Sequence, residues 1–380
     1  MLRRIIRYFR SYVVTLFSAI RLTGKYYRSN NSKVLILSHA LNEGGAPLVL
    51  WQVVRLLKQN GFDVFVVSPL EGKLQEYGAK EDIPVFVLSR PQKLIEKIIS
   101  SLSWDEVLVN TIVMYKWVNR FKHSRTIWWI HEGNSYIQPI KHKLPHHIND
   151  NVDVYCVSEW SRSCMQQNGI SYDPKLLYYA IDDTVEMQEI KTKQENDLTV
   201  FLLMGAICRR KCQLDLFKAI KMMSSAERKR CHFIVVGSLI KGEEFYGNLF
   251  MQELEDLSAE VEYIPRIPHD KINDFYAGID VLICSSNDDP LPVVVTEAFM
   301  NSKCTIVSKN CGQSILIKEK ENGLLFTAET PSELKALLVY TSNNRDDVVR
   351  MGVEARKLYE QYFSMHEFKK SILNVFPKGE

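Results

Sequence analysis

Two series of short, branched apolar segments, each alternating with helix-like stretches, constrain this chain more than any other feature. KVLILSHA, DVFVVSP, IPVFVLS, DEVLVNT, TIWWIHE and DVYCVSE form the first series. TVFLLMG, HFIVVG, VEYIPR, DVLICS, KCTIVS and the shorter GLLF form the second. Segments rich in valine, isoleucine and leucine read as strands buried on both faces, which implies a parallel sheet covered by helices. PLVLWQVVRLLKQNG supports helical connections, with proline in its first turn and glycine just past its end. A polar stretch over residues 182–199, DDTVEMQEIKTKQENDLT, interrupts the pattern and reads as a linker. The expected organisation is two α/β domains of similar build joined near residue 190, and 380 residues suffice for both. The long final segment is expected to break near FSMHE, where Ser364 and Glu367 have capping-box spacing, and to pass back to the first domain.

Composition narrows the classes. An apolar fraction of 46% and a charged fraction of 24% fit a soluble globular protein. A net charge of +3 gives no support for nucleic-acid binding. The eight cysteines include no C-x2-C pair, so buried thiols in a reducing compartment are expected rather than a zinc site. His142, His146 and His147 share a polar loop with no cysteine nearby, which is little to hold a metal, and none is expected.

The first thirty residues are different. Arg3, Arg4, Arg7, Arg10, Arg21, Lys25 and Arg28 are basic, and no acid appears. Leu2, Ile5, Ile6, Phe9, Val13, Leu16, Phe17 and Ile20 recur at helical spacing. The uncharged run SYVVTLFSAI is too short to span a bilayer and carries no small-residue cleavage site. Such a helix suits the surface of an anionic membrane. The alternative is a helix packed on its own domain with its arginines in water.

In open α/β sheets, ligands gather at the carboxyl ends of strands. Four features fall there. In NEGGAP, Gly44 and Gly45 could present amides and a helix N-terminus to a phosphate, or form no more than a tight turn. In WWIHEG, His131 could bond a sugar or phosphate oxygen, with Glu132 a weaker candidate, or be structural. In GAICRRKCQ, Arg209, Arg210 and Lys211 cluster at a cost in repulsion that paired phosphates would offset, or they form a solvated basic turn. In DDPLPVVVTEAF, Pro290 and Pro292 turn the chain off the sheet, and a helix is expected to begin near Pro292 or Val293. Valines are poor helix formers, so buried packing must hold it. Its N-terminal dipole would point at the ligand. Glu297, one turn in, could accept two hydroxyls of a vicinal diol such as a ribose, and Asp289 could face another part of the same ligand. Phosphate ligands, a diol ligand and a polar residue from the opposite domain make the inventory for a nucleoside diphosphate sugar.

On these residues the chain resembles the retaining glycosyltransferases of family 4, over roughly residues 31–375 and most strongly from IPRIPHDKINDFYAGIDVLICSS through EAF to ENGLLF. The resemblance implies the GT-B fold, with two Rossmann-like domains facing across a cleft. It implies an acceptor-binding domain over 31–190, a nucleotide-sugar domain over 191–355, and flanking segments over 1–30 and 356–380. The family's E-x7-E motif becomes Asp289 and Glu297, the second acid binding the nucleotide ribose. Arg210 and Lys211 resemble its diphosphate ligands, with Cys212 where a glycine is usual. Gly44, Gly45 and His131 match its first-domain loop and donor-contacting histidine. The later G-G motif is Cys311-Gly312, and the acid that follows it is absent, leaving Gln313 and Ser314. The implied reaction moves a sugar, with retention, from a UDP-sugar or related donor to a glycan or lipid-linked acceptor in cell-surface polysaccharide synthesis. The resemblance implies no metal, with catalysis by His131, Asp289 and Lys211 and donor binding by Gly44, Gly45, Arg210, Lys211, Pro292, Val293 and Glu297. The expected location is the cytoplasmic face of the cell membrane, reached through residues 1–28. A glycoside hydrolase, a GT-B sugar-nucleotide epimerase and a non-catalytic partner subunit are the competing readings.

Overall fold

The computed structural model describes residues 2–89, 92–184, 198–268 and 271–377, except the side chains of 2–11, 92, 93 and 273. The expected linker falls mostly on residues 185–197, outside the described residues, as does the boundary at residue 190. The chain divides into two compact units. The first comprises Met1–Val157, Ser161–Tyr179 and Phe368–Glu380; the second comprises Ser158–Trp160 and Ala180–Glu367.

In the first unit α1 (Leu2–Arg28) precedes β1 (Lys33–Leu37), α2 (Gly45–Gln59), β2 (Asp63–Ser68), α3 (Leu74–Lys80) and β3 (Val85–Val87). Then follow α4 (Gln92–Ser101), β4 (Glu106–Asn110), β5 (Arg125–Ile130), α5 (Asn134–Ile140), β6 (Val152–Cys156), α6 (Glu159–Gln167) and β7 (Lys175–Leu176). The sheet order is β3-β2-β1-β4-β5-β6-β7, with every pairing parallel. Leu35, Ile36, Val107, Ile127 and Trp128 are fully enclosed, as strands covered on both faces must be. The two-residue β7 is too short to leave a pattern in the sequence.

α1 packs on this unit by a narrow stripe, Thr15, Ala19, Leu22 and Tyr26. Thr15 Oγ1 accepts the Ser89 amide at 3.1 Å, and the Tyr26 ring stands edge-on to Trp104. Where side chains are described, the apolar stripe read from the sequence is not this face; Leu2, Ile5, Ile6 and Phe9, and Arg3, Arg4, Arg7 and Arg10, lie outside those residues. Leu16, Phe17 and Ile20 lie on the other side and remain 43, 64 and 62% exposed. The small side chains at 15 and 19 allow close approach, so the packing face carries less hydrophobic bulk than the outward one. Arg21 and Arg28 are exposed beside the outward stripe, and Lys25 reaches Asp82 at 3.7 Å.

In the second unit β8 (Thr199–Met204), α7 (Gln213–Lys221), α8 (Ser225–Arg228), β9 (Cys231–Val236), α9 (Glu244–Asp256), β10 (Val261–Ile264) and α10 (Ile272–Gly278) come first. They are followed by β11 (Val281–Cys284), α11 (Val293–Met300), β12 (Cys304–Ser308), β13 (Leu324–Phe326), α12 (Pro331–Asn343) and α13 (Arg345–Leu358). The order is β10-β9-β8-β11-β12-β13, again all parallel. Stacked Phe201 and Phe233, with ring centres 5.2 Å apart, anchor the core under α7 and α9. Each such ring contributes about 1.5–3 kcal/mol by leaving water. A π turn over Tyr359–Phe363 interrupts the final helical run before α14 (Met365–Val375). Ser364 Oγ accepts the Glu367 amide at 3.4 Å, the cap expected there. From Phe368 on, α14 belongs to the first unit, where Phe368 lies 6.3 Å from Trp129.

Each sheet reverses its strand order at one place, between β1 and β4 in the first unit and between β8 and β11 in the second. At these places neighbouring loops diverge to opposite faces and leave a crevice for a ligand.

Candidate functional site

At the second unit's crevice, the loop after β8 and the loop after β11 are joined by a dense set of hydrogen bonds. Ser285 Oγ donates to Lys211 O at 2.8 Å, and the Asn287 amide to Arg210 O at 3.0 Å. Arg210 Nη1 donates to Asp288 O at 2.8 Å, and Trp160 Nε1 holds the Asp288 carboxylate at 2.9 Å. Gly205 leaves a track for the Lys211 stem: a Cβ there would touch Lys211 Cε at 3.4 Å. Cys212, where the family usually has glycine, adopts a left-handed backbone with φ 52°. That backbone region favours glycine, so a cysteine there carries strain that the surrounding loop must hold.

The repulsion among the cations has a partner within the protein. Lys211 Nζ lies 2.5 Å and Arg210 Nη1 3.2 Å from Asp289 Oδ2. The sequence reading assigned the compensating anion to a ligand; the structure supplies Asp289 as one, 7% exposed. Burial opposes ionisation of Asp289, but Lys211 and Arg210 outweigh it and hold its carboxyl below the usual range. Burial likewise opposes the charge on Lys211, and Asp289 overcomes it, so the ammonium persists. Asp289 thus meets two cations, with Arg209 exposed beside them and the Asp288 carboxylate held against Trp160 in the same loop.

α11 begins at the same crevice. Pro292 is its cap residue, in extended conformation, and Val293 opens the helix, as expected. The first-turn amides of any helix lack partners within it, so those of Val293 and Val294 face outward. Of the three valines only Val295 is fully buried, while Val293 is 36% exposed. The helix is held instead by its later residues, Ala298, Phe299 and Met300, and by Gln313. Gln313 Nε2 donates to Pro292 O at 2.9 Å and Thr296 Oγ1 at 3.0 Å. Gln313 thus braces α11 from the loop after β12. The Asp289 loop is zipped to the loop after β12, with the Gly312 amide donating to Asp289 O at 2.9 Å. A Cβ on Gly312 would stand 1.8 Å from Pro290 O, so only glycine fits.

Glu297 is half-buried on α11. Burial pushes its carboxyl up to about 7, and a hydrogen bond from Tyr276 opposes the shift.

In the first unit, His131 follows β5 directly, with its ring 4.4 Å from Trp129. Burial, and then His39, lower its pKa to about 3, so the imidazole is neutral and works by hydrogen bonding. Its buried Nε2 has no partner among the described residues. The same holds for both amide atoms of Asn110, fully buried at the end of β4. His39 Nδ1 lies 3.3 Å from Thr111 Oγ1. Asn110 and His39 went unread in the sequence; a lone polar residue closing the apolar run VLVN was the available signal. Glu132, a weaker candidate, is structural: its Oε2 accepts the amides of Ile112 and His131, each at 2.9 Å. Gly44 and Gly45 sit at the start of α2, but the Gly44 amide is taken by Asn42 Oδ1 at 3.2 Å, which leaves Gly45 as the open amide. A cavity of about 360 Å³ opens over the carboxyl ends of β1 to β3, with Leu37, Val67 and Leu88 beneath and Lys116 and Trp117 at its rim. Among the described residues no three metal-binding side chains gather, and no helix is long and apolar enough to cross a membrane. All eight cysteines are buried, and none forms a disulfide.

Two parallel-sheet units of this kind are the make-up of a GT-B glycosyltransferase, and solved enzymes of that fold superpose on nearly the whole chain. Anabaena Alr3699/HepE in complex with UDP and glucose matches with a TM-score of 0.73 at 18% identity, over 91% of this chain and 99% of that one. The lipopolysaccharide outer core galactosyltransferase WaaB, in its apo form, matches with a TM-score of 0.72 at 15% identity, over 90% and 99%. A glycosyltransferase from Rickettsia africae matches with a TM-score of 0.71 at 16% identity, over 92% and 98%. The chain belongs to glycosyltransferase family 4: the model described as Glycosyl-transferase family 4 matches residues 30–190, and that described as Glycosyl transferases group 1 matches residues 185–358. No curated protein sequence matches it.

Proposed function

We propose that this glycosyltransferase transfers a sugar from a nucleoside diphosphate donor, a UDP-sugar first among candidates, to a glycan or lipid-linked acceptor of the cell surface, with retention at the anomeric carbon. The observation that carries the reading is the second unit's crevice, where Arg210 and Lys211 exceed the charge of Asp289 beside the open amides of α11. The donor diphosphate would meet Lys211, Arg210 and the Val293 amide, and its ribose diol would meet Glu297. As the anomeric carbon–oxygen bond to the diphosphate breaks, these groups stabilise the charge on the leaving oxygen. The acceptor oxygen bonds to that carbon on the same face, and its proton passes to the departing phosphate. Asp289, buried against Lys211, orients the ammonium. In the first unit, neutral His131 would hold a sugar hydroxyl rather than exchange a proton, and the Gly45 amide would be open to a charged group. Support for UDP as the nucleotide comes from Alr3699/HepE, solved with UDP-glucose. The acceptor falls to the first unit, whose cavity has an apolar floor and a lysine at its rim.

The outward face of α1 supports action at an anionic membrane, at the cytoplasmic surface. Exposed Leu16, Phe17 and Ile20 would enter the interface while Arg21 and Arg28 meet lipid headgroups. A thermal-shift screen of UDP-, GDP-, ADP- and CDP-sugars, followed by release of nucleoside diphosphate with a lipid-linked acceptor, tests the activity. Stabilisation by one nucleotide class and acceptor-dependent release are expected; absence of any nucleotide response would refute it.

A further inference from the structure

Tyr276 is fully buried at the end of α10, and no sequence motif singled it out. Its hydroxyl lies 3.0 Å from Glu297 Oε2 and 3.0 Å from Val294 O. One proton thus serves the side chain of Glu297 and the first turn of the helix that carries it. Among the described residues, Glu297 has no other side-chain hydrogen-bond partner. The terminal torsion of a glutamate is broad and has no strong preference of its own. A carboxylate meant to receive two hydroxyls of a diol must be fixed from outside.

We infer that Tyr276 is the positioning residue of the donor site: it pins one oxygen of Glu297 to the start of α11 and leaves the remaining carboxylate edge for the vicinal diol of the nucleoside. The inference rests on the reading of Glu297 as the diol ligand. Two influences act on the ionisation of Glu297, its burial and Tyr276. From β11, Cys284 bears on Tyr276 rather than on Glu297, and neither β12 nor α13 sends a charged group toward it. Burial, followed by the neighbouring Glu297, keeps the phenol protonated well above its ordinary range, so it remains a donor. Its loss would let Glu297 both rotate and protonate more readily.

The test is calorimetric titration of the full chain with UDP and with 2′,3′-dideoxy-UDP across pH 6 to 9. Tyr276→Phe keeps the ring and removes only the hydroxyl. The variant should bind UDP about tenfold more weakly near neutral pH, with the midpoint of its pH dependence moved upward and dideoxy-UDP binding unchanged. In turnover, donor KM should rise while kcat holds. As a second arm, 3-fluorotyrosine at position 276 keeps the shape but strengthens the donor, and should move the midpoint downward. A variant that loses thermal stability while both ligands and the midpoint stay as in the native enzyme would overturn the inference. Glu297→Gln separates the two readings. If it binds UDP like the native enzyme, the diol assignment itself falls. If it weakens UDP binding while both changes at Tyr276 leave the midpoint in place, only the Tyr276 inference falls.

Discussion

Lys211 and Asp289 illustrate how little a residue's type says without its neighbour. In the sequence the lysine stood among cations awaiting an anion; in the fold Asp289 Oδ2 is 2.5 Å away. The pair is enclosed, so removing one member strands the other. Lys211→Ala should lower turnover by about two to three orders of magnitude, measured as nucleoside diphosphate release under saturating donor. Lys211→Arg should restore little, because a planar fork does not replace a point charge in the track beside Gly205. For Glu297 the sign is set by its raised pKa of about 7. Ionised Glu297 is the better diol acceptor, so UDP affinity should rise as pH increases through about 7, and Glu297→Gln should flatten that rise. Glu297 could be singled out in the sequence as an acid one turn into a helix at a strand end, while its role as diol ligand belongs to the proposal. Tyr276 could not, since a tyrosine in an apolar run reads as core until its hydroxyl is traced to a partner. The pairing of Asp289 with Lys211 was hidden for a related reason, as 78 residues separate them.

At the level of elements, most strands were readable because branched apolar runs have few other homes. β7 and the role of Gln313 were not, since both depend on contacts distant in sequence. The loops around the donor crevice depend on close backbone approach. Gly312→Ala would force Pro290 O away from 1.8 Å and disturb the pairing of Gly312 with Asp289. It should destabilise the protein by about 1–3 kcal/mol, seen as a lower Tm, and weaken donor binding as well. α1 shows the limits of periodicity. A stripe of large apolar residues marked a face, but the fold buries the lesser one, Thr15, Ala19, Leu22 and Tyr26. The buried face pairs two small residues, Thr15 and Ala19, which allow close approach, with Leu22 and Tyr26, which fill the interface. Replacing Phe17 and Ile20 with serine should leave thermal stability nearly unchanged, because both are mostly exposed. The same change should reduce co-sedimentation with anionic liposomes several-fold; equal binding would show that the outward face has another purpose.

At the scale of the whole molecule, two all-parallel sheets each carry unusual polar groups where their strand order reverses. In the first unit these are Asn110 at the end of β4 and, one strand further on, His131, whose buried side-chain atoms have no partner among the described residues; in the second they are two cations on Asp289 and a glutamate one turn into α11. Family membership accounts for the architecture, and the donor site is the claim on which the proposed chemistry depends. The most direct test is calorimetric titration of the full chain and of Lys211→Ala, side by side, with UDP-, GDP-, ADP- and CDP-glucose. The native protein should bind one nucleotide class, and the variant should bind that same ligand at least about thirtyfold more weakly. Equal affinity in the two proteins, or no binding of any of the four by the native chain, would contradict a donor site at the β8–β11 crevice.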